Sequence, residues 1–258
     1  MPYLEIPGAS LWYEDTGGEG AAVVFLHAFT GNTEAWEYQT PAFADAGYRC
    51  VRYDRRGWGR SRDFSTPEQT TYASDDLHAL VEHLGLLRFH LIGTGGGGYV
   101  ALDYAVSHPE RLASLVVACS GGPIQRDPEY TAIGDRYGRF PGFQSLPPWF
   151  LEIGPTYRVA HPEGVDRWLR IEQASRQEGA QRERMRNDFT LALLETVRMP
   201  TLMLAAGADL YAAPPRMQAT ADRIPDCEFA LMPDAGHSAY WEQPETWNRL
   251  VLEFIGAH

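Results

Sequence analysis

The chain has 258 residues, enough for one large α/β domain with a sizeable core and an inserted subdomain, and few for two independent domains. Its 34 acidic residues against 22 basic ones give a formal net charge of −12, which repels nucleic acid and anionic membrane surfaces and keeps the protein soluble. The expected partner is a small molecule, met by a monomer or homodimer.

In chain order, residues 1–16 read as a β-hairpin, with "LEI" and "SLWYED" on either side of Pro7 and Gly8. Six apolar runs of strand length follow: "AAVVFLHAF" (21–29), "YRCVRYDRR" (48–56), "FHLIGTG" (89–95), "LASLVVACSGG" (112–122), "PTLMLAAGADL" (200–210) and "CEFALMPDAG" (227–236). Most are too continuously apolar to have a wet face, as expected of a parallel sheet covered on both sides. Between them, Leu77, Leu80, Val81 and Leu84, and later Trp247, Leu250, Val251 and Phe254, repeat at helical spacing. Alternating strands and helices without an internal repeat imply a doubly wound, mostly parallel sheet of eight strands.

The alternation breaks between about Pro123 and Met199, where "RFPGFQSLPPWF" and "EGAQRERMRND" carry Pro, aromatic and charged clusters but no strand. Residues 123–197 are therefore expected to form a helical cap over the carboxyl edge of a core built from 1–122 and 198–258. A peripheral helical decoration is the plainer alternative.

Cys50, Cys119 and Cys227 lie far apart in apolar, strand-like segments and read as buried free thiols of a reducing compartment. The first residues lack a basic segment followed by a long apolar core, and no apolar run approaches the roughly 18 residues of a membrane span. A cytoplasmic protein without metal or cofactor is the expectation.

The sharpest local signal is "HLIGTGGGGYVALDY" (90–104). Gly93, Gly95 and Gly98 spell G-x-G-x-x-G, the dinucleotide fingerprint when it lies between the first strand and a helix. Several strands precede it here. The next strand runs out at Ala118, Cys119 and Ser120 with no carboxylate to hold a ribose, so the context fails.

"VVFLHAFTGNTEAW", "YRCVRYDRRGWGRS", "LIGTGGGGYVALDYAVSHPERLASLVV", "PTLMLAAGADL" and "PDAGHSAYWEQPETWNRLVLEFI" resemble, in this order and spacing, the α/β-hydrolase family. The likeness is strongest to its small cytosolic esterases, enol-lactone hydrolases and C–C bond hydrolases. It covers residues 1–122 and 198–258. The resemblance implies a strand-to-helix elbow at Gly93-Thr94-Gly95-Gly96-Gly97, with Gly95 in the nucleophile's place. It implies Asp209 as the acid and His237 as the base. The position that some members use for the acid instead, just after Cys119, holds Ser120 and Gly121. The backbone N–H groups of Phe29 and Gly96 are implied as the oxyanion hole.

Taken singly, Asp209 could be a loop cap, His27 to Gly31 an ordinary turn and His237 a surface histidine. Glycine offers only hydrogen, so serine-type turnover is not possible at this elbow. The Thr94 hydroxyl is expected to face away from His237. Three readings stay open: a serine hydrolase with its nucleophile replaced; an enzyme in which His237, oriented by Asp209, activates water or an acidic C–H or O–H in hydrolase, lyase or cofactor-free oxygenase chemistry; and a small-molecule-binding pseudoenzyme.

Trp36, Phe140, Phe143, Trp149, Tyr157 and Trp168 are the candidates to line a largely apolar pocket, although any of them could instead be core. Arg139 or Arg158 could pair with a substrate carboxylate, or simply be a solvated surface charge.

Overall fold

In the computed structural model, residues 3–66, 68–124, 127–135, 142–180 and 183–258 are described. The chain opens with the hairpin β1 (Tyr3–Ile6) and β2 (Ala9–Asp15), followed by β3 (Ala22–Leu26), α1 (Gln39–Asp45) and β4 (Arg49–Tyr53). Next come the short β5 (Arg62–Asp63), α2 (Ala73–His83), β6 (Phe89–Thr94), α3 (Gly96–Ser107) and β7 (Leu112–Ala118). A helical stretch then holds α4 (Pro128–Asp135), α5 (Pro148–Glu152), α6 (Pro155–Ala160), α7 (Pro162–Gln173) and α8 (Leu191–Leu194). The chain closes with β8 (Thr201–Ala206), α9 (Pro214–Ala221), β9 (Cys227–Met232), α10 (Ala239–Glu242) and α11 (Pro244–Ile255).

The strands lie in the order β1-β2-β4-β3-β6-β7-β8-β9, with β5 pairing β2 off this path. From β4 to β9 the pairing is parallel throughout, and the two N-terminal strands join antiparallel. Eight strands were expected; the extra two-residue β5 arises where Ala9 and Ser10 meet Asp63 and Arg62, too short a run for any periodicity to reveal.

Successive residues of a strand point to opposite faces, so each central strand feeds two cores. Val24, Leu26, Leu91, Leu115, Val117 and Met203 face α2, α3 and α9. Their neighbours Val23, Phe25, Ile92, Val116, Leu202 and Leu204 face α1 and α11, where Phe43, Trp247 and Val251 meet them. The strand β9 departs from the expected full coverage: it is an edge strand, and Leu231 stays 46% exposed. For the same reason Cys227 is only half-buried, unlike Cys50 and Cys119, while all three thiols are free.

Among the described residues, no helix is long and apolar enough to cross a membrane. Nor do they place three or more His, Cys, Asp or Glu side chains where they could hold a metal ion.

Candidate active site

The elbow is built by close approach. A Cβ on Gly97 would lie 2.1 Å from the Leu26 carbonyl oxygen, and one on Gly93 would lie 2.4 Å from that of Gly97. Only residues without side chains let α3 start this close to β3 and β6. Gly95, at the crest between β6 and α3, has φ +52° and ψ −118°, a conformation that costs an L side chain strain and glycine nothing. The crest is tied down at both ends, by Gly95 N–H donating to Ala118 O (3.1 Å) and by Gly95 O accepting from Gly98 N–H (3.1 Å).

A Cβ at Gly95 would point at His237, 3.0 Å from Nε2, with the Ala28 Cβ 3.1 Å away. Thr94 sits beneath the crest, 1% exposed, and does not reach the cavity.

His237 follows β9 and is held by Asp209, which follows β8. Nδ1 of His237 lies 2.8 Å from Asp209 Oδ2, while Asp209 Oδ1 accepts from the backbone N–H groups of Tyr211 (2.7 Å) and Ala212 (2.9 Å). The carboxylate is thus fixed before it meets the ring, and it selects the tautomer that leaves Nε2 facing Gly95. Burial alone would push the imidazole pKa down. The charge and hydrogen bond of Asp209 outweigh it, helped by Glu152 and Glu242, and raise the pKa to about 9.

The loop after β3 is locked from below. His27 Nε2 accepts from Arg55 N–H (3.0 Å), so its Nδ1 carries the proton and donates to Ala28 O (2.8 Å). Burial, reinforced by the Arg55 charge, holds the His27 pKa well below the usual histidine range. Phe29 O accepts from Trp58 Nε1 (2.8 Å). With the carbonyls of Ala28 and Phe29 engaged on that side, the Phe29 residue borders the cavity on the other. Gly96 heads α3, where the first N–H groups have no carbonyl one turn back.

The cavity, about 450 Å³, is lined by Phe29, Gly95, Gly96 and His237, and by residues that sequence reasoning did not single out, among them Tyr99, Tyr130, Glu152, Tyr211 and Arg216. Glu152, from α5, accepts from the hydroxyls of Thr30 (2.8 Å) and Ser238 (3.3 Å), and burial raises its pKa. Cys119, on the same wall, is the one described non-glycine residue with positive φ, at 47°. Tyrosines without a periodic pattern carry no sequence signal for a pocket. Arg216 alone had one: a cation in the first turn of a helix, against the macrodipole.

The aromatic residues expected in the pocket are placed differently. Trp36 is fully buried between Phe25 and Tyr240, with ring centroids 5.0 and 5.1 Å away, and belongs to the core under α11. Trp168, on α7, is 2% exposed and donates through Nε1 to Ser238 Oγ (3.1 Å), which places it one layer behind His237. Trp149 lies under the Arg158 guanidinium, partly buried against the core cluster beneath α11, and Tyr157 borders a separate depression with Tyr38 and His161. Phe143 is one ring removed, edge-on to Tyr211 at 5.9 Å. Phe140 and Arg139 lie outside the described residues. Trp36 and Trp168 gain more by packing into the core than by facing the cavity, whose aromatic wall is supplied instead by Phe29, Tyr99, Tyr130 and Tyr211.

A family model described as "Alpha/beta hydrolase family" matches residues 23–250. The chain belongs to the α/β-hydrolase family. Among the relatives of this hydrolase is the 2-hydroxy-6-oxononadienedioate/2-hydroxy-6-oxononatrienedioate hydrolase of Burkholderia vietnamiensis, 27% identical over 94% of this chain and 90% of that protein. Among solved structures, an esterase from Thermogutta terrifontis with malate bound superimposes with a TM-score of 0.77 at 28% identity, covering 99% of this chain and 97% of that one. Est816, an N-acyl homoserine lactone degrading enzyme, superimposes with a TM-score of 0.78 at 26% identity, covering 98% and 100%. The enol-lactonase of Burkholderia xenovorans, at 19% identity, shares the fold with a TM-score of 0.76.

Proposed function

We propose that this α/β-fold hydrolase site takes small, largely apolar or aromatic esters, lactones or diketone-like compounds, and that Gly95 stands where the nucleophile of a serine hydrolase would stand. One observation carries the reading: the direction in which Gly95 would bear a side chain ends 3.0 Å from Nε2 of a histidine already oriented by a buried carboxylate. A serine there fits after a recoil of a few tenths of an ångström by the imidazole.

With serine in place, Oγ attacks the carbonyl carbon as its proton passes to Nε2, and Asp209 stabilises the imidazolium that forms. The developing oxyanion accepts from the Phe29 and Gly96 N–H groups. The relatives named for ester, lactone and C–C substrates support the breadth of this class. As the sequence stands, no acyl-enzyme forms.

A second reading is favoured by the two backbone amides spent on orienting Asp209, since a site that only binds has no use for a directed base. In it His237 takes a proton from water or from the substrate, with the same amides holding the oxyanion.

The test is Gly95→Ser with a p-nitrophenyl ester. A burst of nitrophenolate equal to the enzyme concentration is expected from that variant and none from the parent. A folded Gly95→Ser protein without a burst would overturn the first reading. Slow turnover by the unaltered chain that disappears in His237→Ala would establish the second. Binding without turnover in both proteins would leave a receptor.

A further inference from the structure

Arg216 is the only lysine or arginine among the described residues lining the cavity. It sits in the first turn of α9, where the helix dipole disfavours a cation and where the turn has no acidic residue. No described carboxylate lies within ion-pair distance of it, although Arg49, Arg55, Arg56 and several others each have one. Among the described residues its buried Nε has no acceptor, and the buried Oγ of Ser120, which also lines the cavity, has no partner. A buried guanidinium donor left unmet is costly, so the arrangement needs a reason.

The guanidinium is also held in place. Its carbon lies 4.4 Å from the centroid of the Tyr130 ring, and that ring is fixed by its own hydroxyl, which donates to Gly121 O (2.6 Å). Thr220 donates to the same carbonyl (3.0 Å) and braces it from α9. A stacked, planar donor facing a cavity is suited to bidentate recognition of a carboxylate, and lysine could not reproduce that fork.

We propose that Arg216 receives a carboxylate of the ligand, so that the preferred substrates are aromatic or conjugated esters, lactones or diketones that carry a free carboxylate besides the group to be cleaved. This rests on the cavity being the substrate site. His237, Phe29 and Gly96 border the same cavity and would meet the reacting carbonyl. The carboxylate of Glu152 occupies another part of the wall, held by Thr30 and Ser238, and would repel a ligand carboxylate bound there, which favours the orientation toward Arg216.

The test uses the unaltered protein and two ligands of nearly equal shape, cinnamate and cinnamamide, compared by isothermal titration calorimetry. Cinnamate should bind about tenfold or more tighter, the range expected of a charge-assisted pair. The advantage should vanish in Arg216→Met and survive in part in Arg216→Lys. Equal affinities for the two ligands, no cinnamate binding, or an unchanged preference in Arg216→Met would overturn the proposal; in the last case His237 and the oxyanion amides hold the carboxylate. If Arg216→Met does not fold, the ligand pair with the unaltered chain and Arg216→Lys decides. In the Gly95→Ser background, Arg216→Met should raise KM for the half-ester of a dicarboxylic acid more than for its diester. A Gly95→Ser protein without turnover would sink the catalytic reading and leave the binding comparison standing.

Discussion

His237 stands among three carboxylates, Asp209, Glu152 and Glu242, and their field decides what it can do at a given pH. With its pKa raised to about 9, the ring is an imidazolium in neutral solution. A general base must be neutral, so kcat/KM of the Gly95→Ser protein should climb across the neutral range, reach half its maximum near pH 9 and level off above it. A plateau already reached at neutral pH would contradict this. Asp209→Asn removes the main source of the shift and should move the rise to lower pH while lowering the plateau. The same residue links pH to stability. Its folded pKa lies above its unfolded value, so the contribution is fully present below pH 6.5 and is lost as pH rises through about 9. Glu242, raised from 4.5 to about 6 chiefly by burial, acts with the same sign between those two values. Melting temperature should therefore fall between pH 6.5 and 9, with a flatter profile in His237→Ala.

At the scale of elements, the β6–α3 elbow separates two kinds of glycine. At Gly95 the conformation weighs more than the space, and Gly95→Ser should cost about 1–3 kcal/mol of stability for a side chain at positive φ. Gly97 needs its space, because a Cβ there meets backbone atoms of Leu26 at 2.1 and 2.6 Å. Gly97→Ala must push α3 away from β3, and an overpacking cost of about 1–3 kcal/mol or more should come with loss of the oxyanion geometry. Denaturant melts of the two variants should show Gly97→Ala as the larger loss; the reverse order would mean that the elbow is not close-packed as described. This motif was legible in the sequence because contact geometry dictated its residue types. The strands along the chain were legible from their apolar runs, whereas Asp209 and His237, each undistinctive alone, were singled out through the likeness of the stretches around them to the α/β-hydrolase family. Trp36 and Trp168 were not. An aromatic ring is equally suited to a core and to a pocket, and only the packing of the elements around it decides. Trp36→Ala should accordingly lose about 3–5 kcal/mol of stability, as a core truncation does, with its effect on turnover following unfolding.

For the whole molecule, the active site depends on how the chain beyond α7 is fastened to the sheet. Arg55, just past β4, forms an ion pair with Glu183, and the two side chains are 1% and 6% exposed. The same guanidinium donates to Ala28 O (3.3 Å), one residue before the Phe29 amide proposed for the oxyanion hole. Burial raises the Glu183 pKa while the Arg55 charge opposes the rise. Removing one partner leaves the other charge buried without compensation, and Glu183→Ala should destabilise the protein by about 3–5 kcal/mol. Replacing both, as Arg55→Met with Glu183→Leu, removes the charges together and should recover most of that loss. Function should not follow stability in this pair, because the double variant still lacks the donor to Ala28. Its melting temperature should return toward the parent's while burst hydrolysis in the Gly95→Ser background stays impaired. Full recovery of both would mean that His27 and Trp58 suffice to hold the loop, and that Arg55 serves the fold alone.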